Sequence, residues 1–183
     1  MVPKTNRSGG LEMKMVYTGI GSRDLPGEYF EYFKELAYYL SKRGLVLRSG
    51  GADGADSAFE DGCISALGKK EIYLPWPGFN GNRSLLTDPS KGAFEIAAKF
   101  HPFWYSMKKA VQRLHARNSH QVLGQHLDRP SLFIVCWTNP NKGGTTQALR
   151  IAKSYDIPIY NYYVGNWNIE EILEPFEEKL NRI

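Results

Sequence analysis

The chain alternates short apolar runs with segments of helical spacing, and that alternation limits its fold more than any other feature. The runs cover residues 15–20, 45–48, 71–74, 132–137 and 158–162, and a turn carrying glycine or proline follows each. A strand with one wet face alternates apolar and polar side chains, whereas runs this continuous belong to strands buried on both faces. Strands of that kind, separated by helices, form a parallel sheet between two helical layers. The expected helices occupy 26–42, 52–67, 89–100, 106–115 (extending towards 123), 145–155 and 169–180. Pro26 suits a first helical position and Gly44 a stop, while Tyr29, Phe33, Leu36, Ala37 and Leu40 make one apolar face between them. The stretch 75–131 opens with Pro75-Trp76-Pro77-Gly78-Phe79-Asn80-Gly81-Asn82, a loop by composition, and reads as an insertion. The expected fold class is therefore α/β: a doubly wound parallel sheet in three layers with an inserted helical segment.

At 183 residues, 42% of them hydrophobic, the chain has material for one domain with its own core, read here as residues 14–183. Residues 1–13 hold Pro3, Ser8, Gly9 and Gly10 with almost nothing apolar, and read as a flexible basic tail. Half of the net charge of +4 sits at residues 1–14, where Lys4, Arg7 and Lys14 face Glu12 alone. The sum therefore says little about a partner. No stretch approaches the ~18 uninterrupted apolar residues of a membrane span, so no membrane partner is expected. Residues 1–14 also lack the apolar centre of a secretory signal. Cys63 and Cys136 show no CxxC spacing, which argues against a disulfide framework or a zinc ribbon and fits a reducing cytoplasm.

A doubly wound sheet binds its ligand outside the carboxyl ends of the strands, near the point where strand order reverses. The loops after residues 20, 48, 74 and 137 should share that rim. The first, Thr18-Gly19-Ile20-Gly21-Ser22-Arg23, begins like a dinucleotide fingerprint, but Asp24 stands where the third glycine belongs. Arg48 and Ser49, rather than an acid, close the second run, so neither a nicotinamide nor any other cofactor is expected. What remains is a glycine turn beside a guanidinium, which suits a phosphate as well as a plain strand-to-helix turn. The second loop, Ser49-Gly50-Gly51-Ala52-Asp53-Gly54-Ala55-Asp56, lets the backbone approach a ligand and offers a helix N-terminus. Asp53 and Asp56 read as first-turn acids, with the alternative that one of them holds a ribose hydroxyl or a base edge. The fourth loop, from Trp137 and Thr138 through Lys142 to Gly143, Gly144 and Thr145, again sets glycines before a helix start, without Walker A spacing. Three such loops on one rim favour a phosphate-bearing ligand.

The segment Arg48-Ser49-Gly50-Gly51-Ala52-Asp53-Gly54-Ala55-Asp56-Ser57-Ala58 resembles the S-G-x-A-x-G-(I/A)-D-x-x-A signature of the DNA-processing protein A (DprA/Smf) family. That family sits in a superfamily with the "lonely guy" (LOG) phosphoribohydrolases. Arg117-Asn118 resembles the arginine–asparagine pair of the DprA core, and Gly143-Gly144-Thr145 the superfamily's later glycine-rich turn. The resemblance spans residues 15–162. It implies a Rossmann-like core, a homodimer, and binding of single-stranded DNA or a nucleotide at the rim. The rim loops and the resemblance together give the expected site: Gly21, Ser22, Arg23, Ser49, Gly50, Gly51, Asp53, Arg117, Asn118, Trp137, Thr138, Gly143, Gly144 and Thr145. Two departures stand out. Phe59 occupies a place where DprA often has histidine, and Gln147 lies near the place where LOG enzymes carry a glutamate. A glutamine cannot serve as the acid or base of glycosidic cleavage. A nucleotide N-glycosidase would have to rest on Asp53, Asp56 or Glu60, and a sensor that sequesters a free signalling nucleotide is the third reading.

In the insertion, Lys109, Arg113 and Arg117 fall at i, i+4 and i+8 beside Lys108, a stripe that tracks phosphates or is simply solvated. Trp76, Phe79, Trp104 and Trp137 are candidates for stacking on bases, one or two of them at most. His101, His115, His120 and His126 share this segment without metal-binding spacing, so no metal is expected; a polar ligand contact fits His115 or His120 better. Ser22 and Ser49 lack the context of a nucleophilic triad.

Overall fold

Strands β1 (Val16–Gly21), β2 (Val46–Ser49), β3 (Lys70–Ile72), β4 (Ile134–Trp137) and β5 (Ile159–Asn161) form one parallel sheet. Their order is β3-β2-β1-β4-β5, in a computed structural model whose described residues run from 14 to 182. The tail expected at 1–13 lies outside the described residues. Side chains alternate between two cores, as the continuous apolar runs require. Val135 of β4 and Phe133 just before it face one core, and Ile134 and Cys136 of β4 face the other. Helices α1 (Gly27–Lys42) and α2 (Ala55–Ser65) cover the first face, joined by α6 (Ile169–Leu173) and α7 (Glu177–Leu180). Helices α3 (Lys91–Phe100), α4 (Lys109–Leu123) and α5 (Thr145–Ser154) cover the second. The fold is the expected Rossmann-like α/β architecture in three layers.

Phe33 of α1 and Phe59 of α2 stack at 4.6 Å between ring centroids, both fully buried. The Phe59 ring lies where a Cβ of Gly19 would be, so the glycine lets α2 close onto β1. On the other face, Thr18 Oγ1 donates to the Gln121 carbonyl at 2.6 Å and fixes α4 against the middle of the sheet.

Several boundaries differ from expectation for physical reasons. Helix α2 begins at Ala55 rather than 52, because Gly51 and Gly54 adopt φ of +65° and +77°, which no helix accommodates. Tyr73 makes the last bond to β2, from its N–H to the Ser49 carbonyl at 2.9 Å, and then pairs with Leu86, so β3 ends at Ile72. The expected terminal helix 169–180 is broken into α6, a 3-10 turn and α7 around Pro175, which lacks an N–H to continue the ladder. Helix α4 runs on to Leu123, the longer of the two expected extents.

Candidate functional site

The chain leaves β1 towards α1 on one face and leaves β4 towards α5 on the other, so the carboxyl ends of these neighbours part and open a crevice. The register sets Gly21 beside Trp137 at its floor. The cleft measures about 650 Å³. The β1–α1 loop and the β4–α5 loop form two walls, and α4 contributes the third through Leu114, His115, Arg117, Asn118 and Gln121.

The back of the cleft is organised by Asp56. This carboxylate is 3% exposed and accepts N–H groups of Gly50 at 3.1 Å, Gly21 at 3.3 Å and Ala52 at 3.4 Å. It thus ties the first and second rim loops together. Burial pushes its pKa up to about 6, against the pull of the Arg117 guanidinium and of those N–H groups. Arg117 is itself buried and donates to the Gly50 carbonyl, with its guanidinium 5.7 Å from the centre of the Phe79 ring. Burial lowers the pKa of Arg117 and Asp56 raises it, while Arg23 in the same cleft lowers it further. A side chain at Gly50 would overlap the Arg117 guanidinium and the Gln121 amide, so the backbone must be bare where α4 presses on it.

The expectation that three loops present free N–H groups is therefore corrected at two of them. Asp56 engages the N–H groups of Gly21 and Gly50, and Ser22 donates its own to the Trp137 carbonyl at 2.8 Å. The second loop is an internal anion site already filled by the chain's own carboxylate. Ser49, fully buried, donates its hydroxyl to the Gly19 carbonyl, and neither it, Gly50, Gly51 nor Asp53 lines the cleft. Asp53 precedes α2 instead of lying in its first turn, and accepts from Asn80 Nδ2 at 2.9 Å.

The β4–α5 loop differs. Asn118 Nδ2 donates to the Gly144 carbonyl and to Gln147 Oε1, both at 3.1 Å, and Thr146 Oγ1 donates to the Lys142 carbonyl at 3.0 Å. Thr145 Oγ1 donates to the Gly21 carbonyl at 3.0 Å, and Asn161 braces the backbone of Thr138 on both its N–H and its carbonyl. The carbonyls are thus held by side-chain donors, and no side chain caps α5. Among the described residues the N–H groups of Gly143, Gly144 and Thr145 have no protein acceptor. Such a helix start attracts an anion. Arg23 and Lys142, both exposed, line the same cleft and form no ion pair among the described residues.

The stripe on α4 does not act as one face. Arg113 is bound to Asp88 and to the Pro75 carbonyl, Arg117 points inward, and only Lys108 and Lys109 are exposed and unpaired among the described residues. Of the aromatics proposed to stack, Trp104 is core, Phe79 supports Arg117 with Trp76 against its edge, and Trp137 alone lines the cleft. Tyr163, which packs on Trp137 at 5.0 Å, was not anticipated, although it follows a strand and so belongs to the same rim. Gln121, one helical turn beyond Arg117, was missed as well.

Of the carboxylates considered for catalysis, Glu60 faces away and binds Lys70 and Asn82, Asp53 is outside the cleft, and Asp56 is fully engaged. His115 lies against the start of α5, its imidazole pushed down to about 4 by burial and by the neighbouring His101. It is neutral near pH 7 and adds polarity rather than charge. His120 is turned away, bonded to Ser90 and the Gly124 carbonyl. Among the described residues no three His, Cys, Asp or Glu side chains cluster to hold a metal, and no helix is long and apolar enough to cross a membrane.

Fold and cleft together define a Rossmann-like α/β protein with an open crevice at its topological switch point. Its fold is DprA-like. The DNA processing protein A of Helicobacter pylori, whose structure describes a single-stranded DNA binding mode, superposes with a TM-score of 0.55 at 20% identity. That match covers 91% of this chain and 73% of the other. The Streptococcus pneumoniae DprA gives 0.53 at 13% identity over 92% of this chain, which spans only 56% of that protein. The Moco carrier protein of Chlamydomonas reinhardtii gives 0.50 at 16% identity, covering 81% and 75% of the two chains. At these identities the likeness shows the fold alone. No family model matches the chain, and no curated protein matches it.

Proposed function

We propose that the chain binds the phosphate backbone of single-stranded DNA in this cleft and does not turn its ligand over. The observation that carries the reading is the uncapped N-terminus of α5, in one cleft with two cations that form no ion pair among the described residues, although Asp24 lines the cleft as well. A phosphate seated there would accept from the Gly143, Gly144 and Thr145 N–H groups and meet Arg23 and Lys142. Asn118 holds the turn in place from α4, and Trp137 offers a ring for a base. The single-stranded DNA binding of the H. pylori protein of like fold supports the choice of ligand. Binding without hydrolysis is supported by Gln147 near the glutamate of the LOG motif and by the engagement of Asp56. The reading includes the pairing of two copies and the cytoplasmic setting expected from the sequence; Cys63 and Cys136 are free and buried.

Fluorescence anisotropy of a labelled oligo-dT strand across a salt series tests the reading, with nucleoside monophosphates as competitors. The expected log–log slope is about −0.7 per phosphate contacted. Weak salt dependence with full competition by a monophosphate would favour the nucleotide sensor, release of free base the glycosidase. Absence of any binding at low salt would overturn the proposal.

A further inference from the structure

We propose that the turn preceding α4 is a stacking ledge for the bases of a strand that extends beyond the cleft; this rests on the reading of the cleft as a single-strand site. The segment between α3 and α4 folds as a 3-10 turn, Trp104–Ser106. It is pinned from within. Trp104 is buried against Phe94, Gln112 Nε2 donates to the Trp104 carbonyl at 2.9 Å, and Ser106 Oγ donates to the Phe103 carbonyl at 2.9 Å. The Phe103 N–H is bound by His101 Nδ1 at 3.2 Å. Holding Trp104 inward turns its two neighbours outward, and Phe103 and Tyr105 are 70% and 93% exposed.

Two large aromatics stand on a turn whose backbone is braced, so their attachment points are fixed while the rings face solvent. Lys108 and Lys109 follow Tyr105 after two residues, both exposed and both without an ion pair among the described residues. The ledge adjoins the cleft, because Val111, which lines the cleft, donates its N–H to the Lys108 carbonyl at 2.9 Å and so stands one helical turn from that lysine. Its composition favours one class of partner. Protein interfaces are depleted of lysine at their centres. Exposed aromatics interleaved with cations are the surface on which a single strand stacks its bases and lays its phosphates. The cleft would thus take a phosphate and the ledge the neighbouring bases, so that affinity depends on strand length.

The test compares wild type with the F103A/Y105A double variant, whose changes remove only exposed atoms, on a dT 12-mer, an abasic 12-mer and thymidine monophosphate. Stacking predicts that the wild type prefers the dT strand over the abasic one by about tenfold or more, and that the double variant loses this preference. Binding of the monophosphate should not change. A K108Q/K109Q variant should flatten the salt slope on the dT strand by about 1.4. If the double variant binds the dT strand as wild type does, the ledge is overturned while the cleft stands. Equal loss on the dT and abasic strands overturns it too, as does DNA binding that stays intact while only adhesion to anionic vesicles is lost. If the wild type binds neither strand nor monophosphate, the cleft reading fails and the ledge with it.

Discussion

Replacing Asp56 by asparagine removes the charge of this side chain while nearly preserving its shape, and the structure gives the sign of the result. The carboxylate is 3% exposed, faces a buried guanidinium and accepts three N–H groups, yet burial raises its pKa from 3.8 to about 6. Between those values the folded chain holds a proton that the unfolded chain has already released. Folding then binds protons, so the contribution of Asp56 to stability falls as pH rises through that window. A shift of about two units at about 1.4 kcal/mol each amounts to roughly 3 kcal/mol, absent below pH ~4 and complete above pH ~7. The D56N variant carries no such proton. The unfolding free energy of wild type minus that of D56N should therefore fall by about 3 kcal/mol between those limits. Urea titrations at four pH values, read by tryptophan fluorescence, measure it directly. A difference that is flat, or that rises with pH, would mean instead that Arg117 and the three N–H groups outweigh burial.

Other consequences are open to measurement. R23A and K142A should each weaken strand binding and flatten the salt slope by about 0.7, because each removes one phosphate contact. Both should leave stability within about 0.5 kcal/mol of wild type, since the side chains are exposed and unpaired; thermal melts check this. G50A should destabilise the chain by about 1–3 kcal/mol in urea, because the added methyl overlaps Arg117 and Gln121. N118A should cost about 1–2 kcal/mol through its two lost hydrogen bonds, and should also weaken strand binding as the Gly143–Gly144 turn loosens.

The architecture was legible because sheets buried on both faces leave a signature that no other strand does. Phe133-Ile134-Val135-Cys136 reads as one apolar block, and the structure splits it between two cores. Helix ends were less legible, since Gly51 and Gly54 delay α2 and Pro175 breaks the last helix through local dihedrals that periodicity ignores. At the rim, the loops that would meet could be named from the alternation of elements, because parallel order sends every strand's carboxyl end to one edge. Which N–H groups remained open could not. That Asp56 would turn back onto Gly21 and Gly50, rather than complement its own helix, depends on Arg117 arriving from a helix some sixty residues away in sequence. The spacing of Lys109, Arg113 and Arg117 was correct as geometry, but what each meets is decided by the Pro75–Asp88 segment and by α2. Spacing cannot show that.

In the proposed complex a strand's phosphate sits on the N-terminus of α5. Titration of ¹⁵N-labelled protein with a short oligo-dT, followed by amide chemical shifts, tests it residue by residue. The largest saturable shifts should fall on the Gly143, Gly144 and Thr145 amides, with the amides of Gly50 and Ala52, already bound to Asp56, moving little. Shifts concentrated on Gly50 and Ala52, or spread over lysines remote from the cleft with the α5 amides unmoved, would contradict it.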